Sequence, residues 1–335
     1  MNGPSTEGTT PEAIEAWVRQ QALFATDAPV RVRPLLGGVS SEVFDVQAGD
    51  TRMVVKRAGP YMLTDDVWPA APRRVVHEGE VLRALGSLTP GAVAPVLAID
   101  EGTFTIAMQH APPSWTVWKS ALLEGDVDPG VGARLGSLLG TWHQRTLGDE
   151  RFSHLDDYEL FEQLRLSPYL TTTAQRCPGQ RASLEEVEAR VRATRTCLVH
   201  GDFSPKNILL GEEGLWALDC EVAHIGDPQF DLAFMLNHLL MKALHRPASS
   251  GAYRLVSQQF TTEYTRAAPD GGEVDGEPLC GLLAALLLAR VHGKSPAEYL
   301  DGHGRARAEA LSTWALERHV DALDDIWDRL EESAP

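Results

Sequence analysis

The segment Leu198 to Leu210, LVHGDFSPKNILL, constrains this chain more than any other stretch. Two apolar runs flank a polar loop that carries His200, Asp202, Lys206 and Asn207. Twelve residues after Asn207 a second apolar run, LWALDCE, delivers Asp219 and Glu221. NILL and LWAL pattern as the two strands of a hairpin turning at Gly211 to Gly214, so Asn207 and Asp219 are expected to meet in space. A lone Asp or Asn in a loop more often caps a turn than performs chemistry. Here several such residues come in a fixed order on one loop and a neighbouring strand end.

That set suits phosphoryl transfer, which needs positioning and charge neutralisation more than covalent help. Magnesium is a hard cation that takes oxygen ligands. The amide oxygen of Asn207 and the carboxylate of Asp219 are the expected Mg²⁺ ligands. Asp202, five residues before Asn207, can face the opposite side of the loop. There it would orient an attacking hydroxyl and accept its proton.

HGDFSPKN resembles the HxDxxxxN catalytic loop of the aminoglycoside phosphotransferase and choline-kinase-like families, relatives of the protein kinases. LDCE resembles their magnesium-binding Asp motif, and GDPQFDLA at Gly226 to Ala233 matches their GDPxxDLA segment. The resemblance implies an α+β, bilobed protein-kinase-like fold, with a small β-rich lobe and a larger, mainly helical one. It makes Asp202 the catalytic base, Asn207 and Asp219 the metal ligands, and ATP (or GTP) with Mg²⁺ the cofactors. His200 is then expected to brace the loop and Asp231 to tie it to a helix. Glu221 is either a spare ligand or a solvated carboxylate.

The first half of the chain fits that frame. Residues 1–10 are rich in Gly, Ser and Thr and are expected to be disordered. Pro11 to Phe24 patterns as an amphipathic helix with Ile14, Trp17, Val18 and Leu23 near one face. Val43–Gln47 and Met53–Arg57 pattern as strands joined at AGDT, Val75–Leu85 as a helix, and Val93–Ile99 and Phe104–Met108 as two more strands. LLGGVSSEVFDV has the strand, glycine, strand pattern of a phosphate-covering loop, with Gly37 and Gly38 at its turn and Ser40 and Ser41 as phosphate donors. A simple hairpin reads the same way. Lys56 ends the next strand, where a kinase needs a lysine for the α- and β-phosphates. Its partner should come from HEGEVLRAL, in which Glu78 and Glu80 lie about 200° apart on a helix. Val75, Leu82 and Leu85 share the face of Glu78, which makes Glu78 the inward one. FTIAMQHAPP resembles the strand and hinge that hold adenine, with Met108 at the back and the backbone of Gln109 to Ala111 facing the base. The expected division is an N-lobe over 11–111 and a C-lobe over 112–335, with a ligand cleft between them. AGPYMLTDDVWPAAPRR, between Ala58 and Arg74, exceeds a minimal connection.

The acceptor is less constrained. Arg290, His292, Lys294 and Ser295 cluster after a strongly apolar helix and weakly resemble the segment by which methylthioribose kinases grip their sugar. A basic helix end that complements the macrodipole reads equally well. Asp227, Trp142 and His238 are further candidates for the substrate pocket. Aminoglycosides, sugars and amino alcohols all remain open as acceptors. The net charge of −17 excludes a nucleic-acid partner and slightly favours a cationic acceptor. About ten residues separate Glu221 from Asp231, which leaves no room for a protein-kinase activation segment. A non-catalytic nucleotide-binding relative is the rival from another class, opposed by the intact set of Lys56, Asp202, Asn207 and Asp219. The longest apolar run, Leu282 to Ala289, falls far short of the roughly 18 residues that span a membrane. The N-terminus lacks a secretory pattern, and the four cysteines match no disulfide or metal framework. A cytoplasmic monomer or homodimer is expected.

Overall fold

The computed structural model describes residues 9–25, 28–35, 41–62, 70–270, 274 and 276–332. The chain divides into two compact units, Met1–Trp115 and Thr116–Pro335.

The first unit is built on an antiparallel sheet of β1 (Val30–Leu35), β2 (Glu42–Ala48), β3 (Thr51–Arg57), β4 (Val96–Asp100) and β5 (Thr105–Gln109), in the order β1-β2-β3-β5-β4. Two helices accompany it, α1 (Pro11–Gln20) and α2 (Arg74–Leu88). Phe44 and Val46 of β2 and Met53 and Val55 of β3 pack with Ile14, Trp17 and Val18 of α1 in one core. Thr10 caps α1 through the Ala13 N–H, and Thr9 N–H donates to Glu42 Oε1 at 2.9 Å. Thr9 and Thr10, within the segment expected to be disordered, are thus held by hydrogen bonds, and residues 1–8 lie outside the described residues.

Helix α1 is shorter than the pattern over Pro11 to Phe24 suggests. It stops at Gln20 because Ala22 takes the left-handed region at φ +53°. The Ala22 N–H then returns to Arg19 O and the Leu23 N–H to Val18 O, a Schellman motif. Leu23 and Phe24 still reach the core, but from the turn. Arg74, fully buried, donates to the carbonyls of Gly59, Ala70 and Ala71 and holds both described ends of the long connection. Its middle, residues 63–69, lies outside the described residues.

The second unit opens with β6 (Thr116–Val117), α3 (Trp118–Glu124) and α4 (Pro129–Thr146). Short α5 (Tyr158–Phe161) runs through a π-helical stretch, Glu162–Thr171, into α6 (Thr172–Arg176), and α7 (Arg181–Ala193) follows. β7 (Cys197–Val199) leads into the polar loop and pairs with β10 (His224–Gly226), while β8 (Ile208–Gly211) and β9 (Gly214–Ala217) form the hairpin, edged by β6. The remainder is α8 (Pro228–His245), α9 (Ser250–Ala267), α10 (Glu277–His292), α11 (Gly302–Arg318) and α12 (Leu323–Glu332).

Helices α4 and α9 meet backbone to backbone. Gly136 of α4 has no space for a side chain, since a Cβ there would lie 2.1 Å from Phe260 O. Helix α8 is buried along nearly its whole length and carries Asp231, His238 and Lys242 through the interior. Helix α10 is apolar around its circumference and buried from Leu282 to Ala289. Among the described residues no helix is long and apolar enough to cross a membrane. All four cysteines are buried free thiols that pack as small hydrophobes.

Candidate active site

The loop between β7 and β8 is held from several sides. Asp231, in the first turn of α8, accepts the His200 N–H at 2.7 Å and the Gly201 N–H at 2.8 Å, one on each carboxylate oxygen. His143 Nε2 of α4 lies 3.2 Å from the same carboxylate, and its Nδ1 meets Tyr264 Oη at 2.9 Å. Gly201 has φ +77°, and a Cβ would meet Val222 O at 2.8 Å, so the tight bend before Asp202 requires glycine. His200 Nδ1 accepts the Asp202 N–H at 3.2 Å, which leaves Nε2 to donate to Leu218 O at 3.1 Å. His200 therefore couples the loop to the residue before Asp219.

The hairpin does what its spacing suggests. Leu218 N–H donates to Asn207 O at 2.8 Å, and Ile208 pairs with Ala217. Asp219 follows at once, in the left-handed region at φ +66°. Asn207 Nδ2 donates to Asp202 O at 3.0 Å and to Asp202 Oδ2 at 2.9 Å. The amide oxygen of Asn207 is thereby turned away from Asp202 with no partner among the described residues.

Asp202 is 1% exposed, and its two oxygens differ. Oδ2 meets Arg165 Nη2 at 2.6 Å and Lys206 Nζ at 2.8 Å, besides the Asn207 amide. Oδ1 is buried and has no hydrogen-bond partner. Burial by itself raises a carboxyl pKa, but Arg165 and Lys206 outweigh it and hold Asp202 at about 2. Arg165 is fixed in turn, its Nε donating to Gly201 O at 3.2 Å and its Nη1 to Leu164 O at 2.8 Å. It projects from the π-helical stretch, a rare geometry that often accompanies function. No sequence motif singled out Arg165, because its link to Asp202 spans 37 residues and depends on how that stretch packs.

In the first unit Lys56 Nζ meets Glu78 Oε1 at 2.6 Å, with Glu78 1% exposed at its side chain. Of the two glutamates on α2, Glu78 is buried and Glu80 is not. Met108 is buried in β5, opposite Val54 and Val96. The expected role of the Gln109 backbone is narrowed, since its N–H is not available to a ligand. Its N–H is already given to Pro95 O at 2.8 Å, and the His110 N–H points to Arg52 O at 3.4 Å, because sheet pairing continues through both residues. Of the three, Ala111 keeps an N–H with no partner among the described residues. Gly37, Gly38 and Ser40 lie outside the described residues, and Ser41 is buried at the start of β2.

Two substrate candidates are also corrected. Trp142 is 1% exposed and stands edge-on to Phe203, with ring centres 6.1 Å apart, so it supports the loop from within the core. Asp227 caps α8 by accepting the Gln229 N–H at 2.9 Å. It borders a separate hollow of about 290 Å³ with Arg190, Thr196 and Pro278 that includes neither Asp202 nor Arg290. Arg290 donates from Nη1 to Tyr169 Oη at 3.2 Å and to Ser295 Oγ at 2.8 Å. Glu221 is 3% exposed, which removes the solvated alternative.

The methylthioribose kinase of Geobacillus thermodenitrificans is 23% identical over 276 residues, covering 72% of this chain and 68% of the relative. Choline kinase LicA from Streptococcus pneumoniae superposes with a TM-score of 0.53 at 14% identity, over 92% of this chain and 98% of that one. An aminoglycoside phosphotransferase from Alicyclobacillus acidocaldarius gives 0.53 at 13% identity, over 99% of each chain. At such identities the structural likeness is one of fold, the protein-kinase-like α+β architecture. Residues 31–269 match the phosphotransferase enzyme family, and the chain belongs to that family.

Proposed function

We propose that this small-molecule kinase transfers the γ-phosphate of ATP, with Mg²⁺, to a hydroxyl group of its acceptor. The observation that carries the reading is the division of labour within Asp202. One oxygen is committed to Arg165, Lys206 and Asn207, while the other is buried and free. A carboxylate that only stabilised the fold would have both oxygens satisfied. The free Oδ1 is placed to accept a hydrogen bond from the attacking hydroxyl and then its proton. With its pKa near 2 the group stays ionised and acts mainly by orienting the nucleophile.

The donor set also fits a hard cation. Asn207 keeps its amide oxygen available, Asp219 adds a carboxylate on the adjoining strand end, and both are oxygen ligands. A magnesium ion bound there would neutralise charge on the triphosphate. Lys56, oriented by Glu78, is proposed to hold the α- and β-phosphates, and the Ala111 N–H to meet the base. Arg290 is proposed to face the acceptor. A sugar acceptor of the methylthioribose type is a second reading, favoured by the 23% identical relative.

The test is ADP release from ATP with a panel of sugars, amino alcohols and aminoglycosides, by wild type and by Asp202→Asn. Acceptor-dependent release that vanishes in the variant is expected. Acceptor-dependent release that persists in Asp202→Asn would overturn the assignment of the base.

A further inference from the structure

Around Tyr299 and Arg290 the helical unit gathers cations that have no carboxylate partner among the described residues. Lys242 of α8 is 1% exposed. Its Nζ lies 5.4 Å from the centre of the Tyr299 ring, and its hydrogen bond, to His238 O, is a long 3.4 Å. Lys119 of α3 brings a second ammonium to 5.9 Å from the same ring. Arg290 stands on α10 with its Nη1 on Tyr169 and Ser295. Among the described residues, none of Lys242, Lys119 and Arg290 has a carboxylate within ion-pair distance. The Tyr299 hydroxyl and Arg290 Nε are buried with no hydrogen-bond partner.

The cluster is continuous with Asp202. The Tyr169 ring lies 5.7 Å from Phe234, which lies 5.3 Å from His238, and Lys242 follows one turn later on α8. Burial alone raises a phenol, yet Arg290 and Arg165 outweigh it and leave Tyr169 below its ordinary pKa, with Asp202 close enough to oppose them. Burial, Lys119 and Arg290 together push the Lys242 ammonium down to about 7. Burial and the charges of Lys242, Arg290, Lys206 and Lys119 push His238 well below its usual value. A net charge of −17 on the whole chain thus coexists with a local cluster of cations here.

We infer that this cluster receives an anionic group of the acceptor, so that the substrate is a small molecule carrying a carboxylate or phosphate as well as the hydroxyl to be phosphorylated. The term acceptor rests on the phosphotransfer reading above; the anion site rests on Lys242, Lys119, Arg290 and Tyr299 themselves. One oxyanion would replace mutual repulsion with charge-assisted hydrogen bonds and give Tyr299 Oη and Arg290 Nε an acceptor. A neutral polyol offers no counter-charge, and an amine adds a further like charge.

The test is calorimetric titration of the full chain, with ADP at saturation so that phosphate sites for the nucleotide are filled. The probes are ribose, ribonate, ribose 5-phosphate and ethanolamine, against wild type, Lys242→Met and Arg290→Gln. Ribonate or ribose 5-phosphate is expected to bind at least about tenfold more tightly than ribose and ethanolamine. Each variant is expected to erase most of that preference while keeping its ADP affinity and unfolding in a single cooperative transition no less stable than that of wild type. Which of the two anions binds separates carboxylate from phosphate recognition. Equal or tighter binding of ribose or ethanolamine by wild type overturns the inference, as does an anion affinity that neither variant changes. ADP release is measured with the same compounds. Anion binding that needs Lys242 and Arg290, without phosphate transfer to any compound, would count against the transfer reading and for the anion site.

Discussion

Asp202 and Lys242 are each 1% exposed, and the first is surrounded by opposite charge while the second is surrounded by like charge. Around Asp202, two cations and an amide converge on one oxygen, and the loop beneath is pinned through Asp231. Around Lys242 there is a tyrosine ring, a helix carbonyl and two further cations at a distance. A buried ion with its partners supplied is complete within the protein. A buried ion without them costs stability, commonly several kcal/mol, until something else supplies the counter-charge. The contrast separates a part whose charges are matched within the protein from a part whose charges are not.

Removing the paired carboxylate should have the largest effect. Asp202→Ala is expected to lower kcat by about a thousandfold or more while ADP still binds, checked by ADP release and calorimetry. Next comes the pin beneath the loop. Asp231→Ala strands the N–H groups of His200 and Gly201 and is expected to cost about 2 to 4 kcal/mol in urea unfolding. An unchanged midpoint would show that the loop holds itself.

Arg165→Met blurs the contrast by taking one cation from Asp202. The carboxylate must be ionised to act, so activity falls as pH drops through its pKa. With that pKa near 2, wild type should show no acid limb above about pH 4. In the variant the limb should move upward by about a unit or more in the kcat–pH profile.

Lys242→Met probes the other side. In the folded protein this lysine loses its proton near pH 7, while the unfolded chain keeps it to about 10.5. Between those values the unfolded state binds more protons, so wild-type stability should rise with pH. The penalty is fully present below pH 7. The variant should be more stable by several kcal/mol at pH 7 and lose most of the upward slope, read from urea unfolding at several pH values. The smallest effect is expected from Ser295→Ala, which removes one hydrogen bond to Arg290. Stability should shift by about 0.5 kcal/mol or less in the same unfolding measurement.

The hairpin around Gly211 to Gly214 and the loop from His200 to Asn207 were legible in the chain because short-range geometry decides them. A few residues of strand, a tight turn and a fixed offset bring Leu218 back to Asn207. The inward face of α2 was legible for the same reason, since helical periodicity alone separates Glu78 from Glu80. The end of α1 was less so. Leu23 continues the apolar pattern, and only the left-handed turn at Ala22 shows that it does so outside the helix. The backbone of Gln109 to Ala111 was read as facing the base, and only the packed sheet shows that the Gln109 N–H is given to Pro95 O.

Sequence by itself determined the family, the order of the loop residues and the class of reaction they serve, because those follow from contiguous motifs. Tertiary structure alone decided which oxygen of Asp202 is free, that Arg165 commits the other, and that Lys242, Lys119 and Arg290 gather without a carboxylate among the described residues. Arg290 reaches Tyr169 across 121 residues, and Lys242 and Lys119 share one ring from different helices. A lysine inside the apolar run of α8 was visible in the sequence, but its lack of a counter-charge was not. Burial and pairing are properties of packed helices, and no local spacing encodes them.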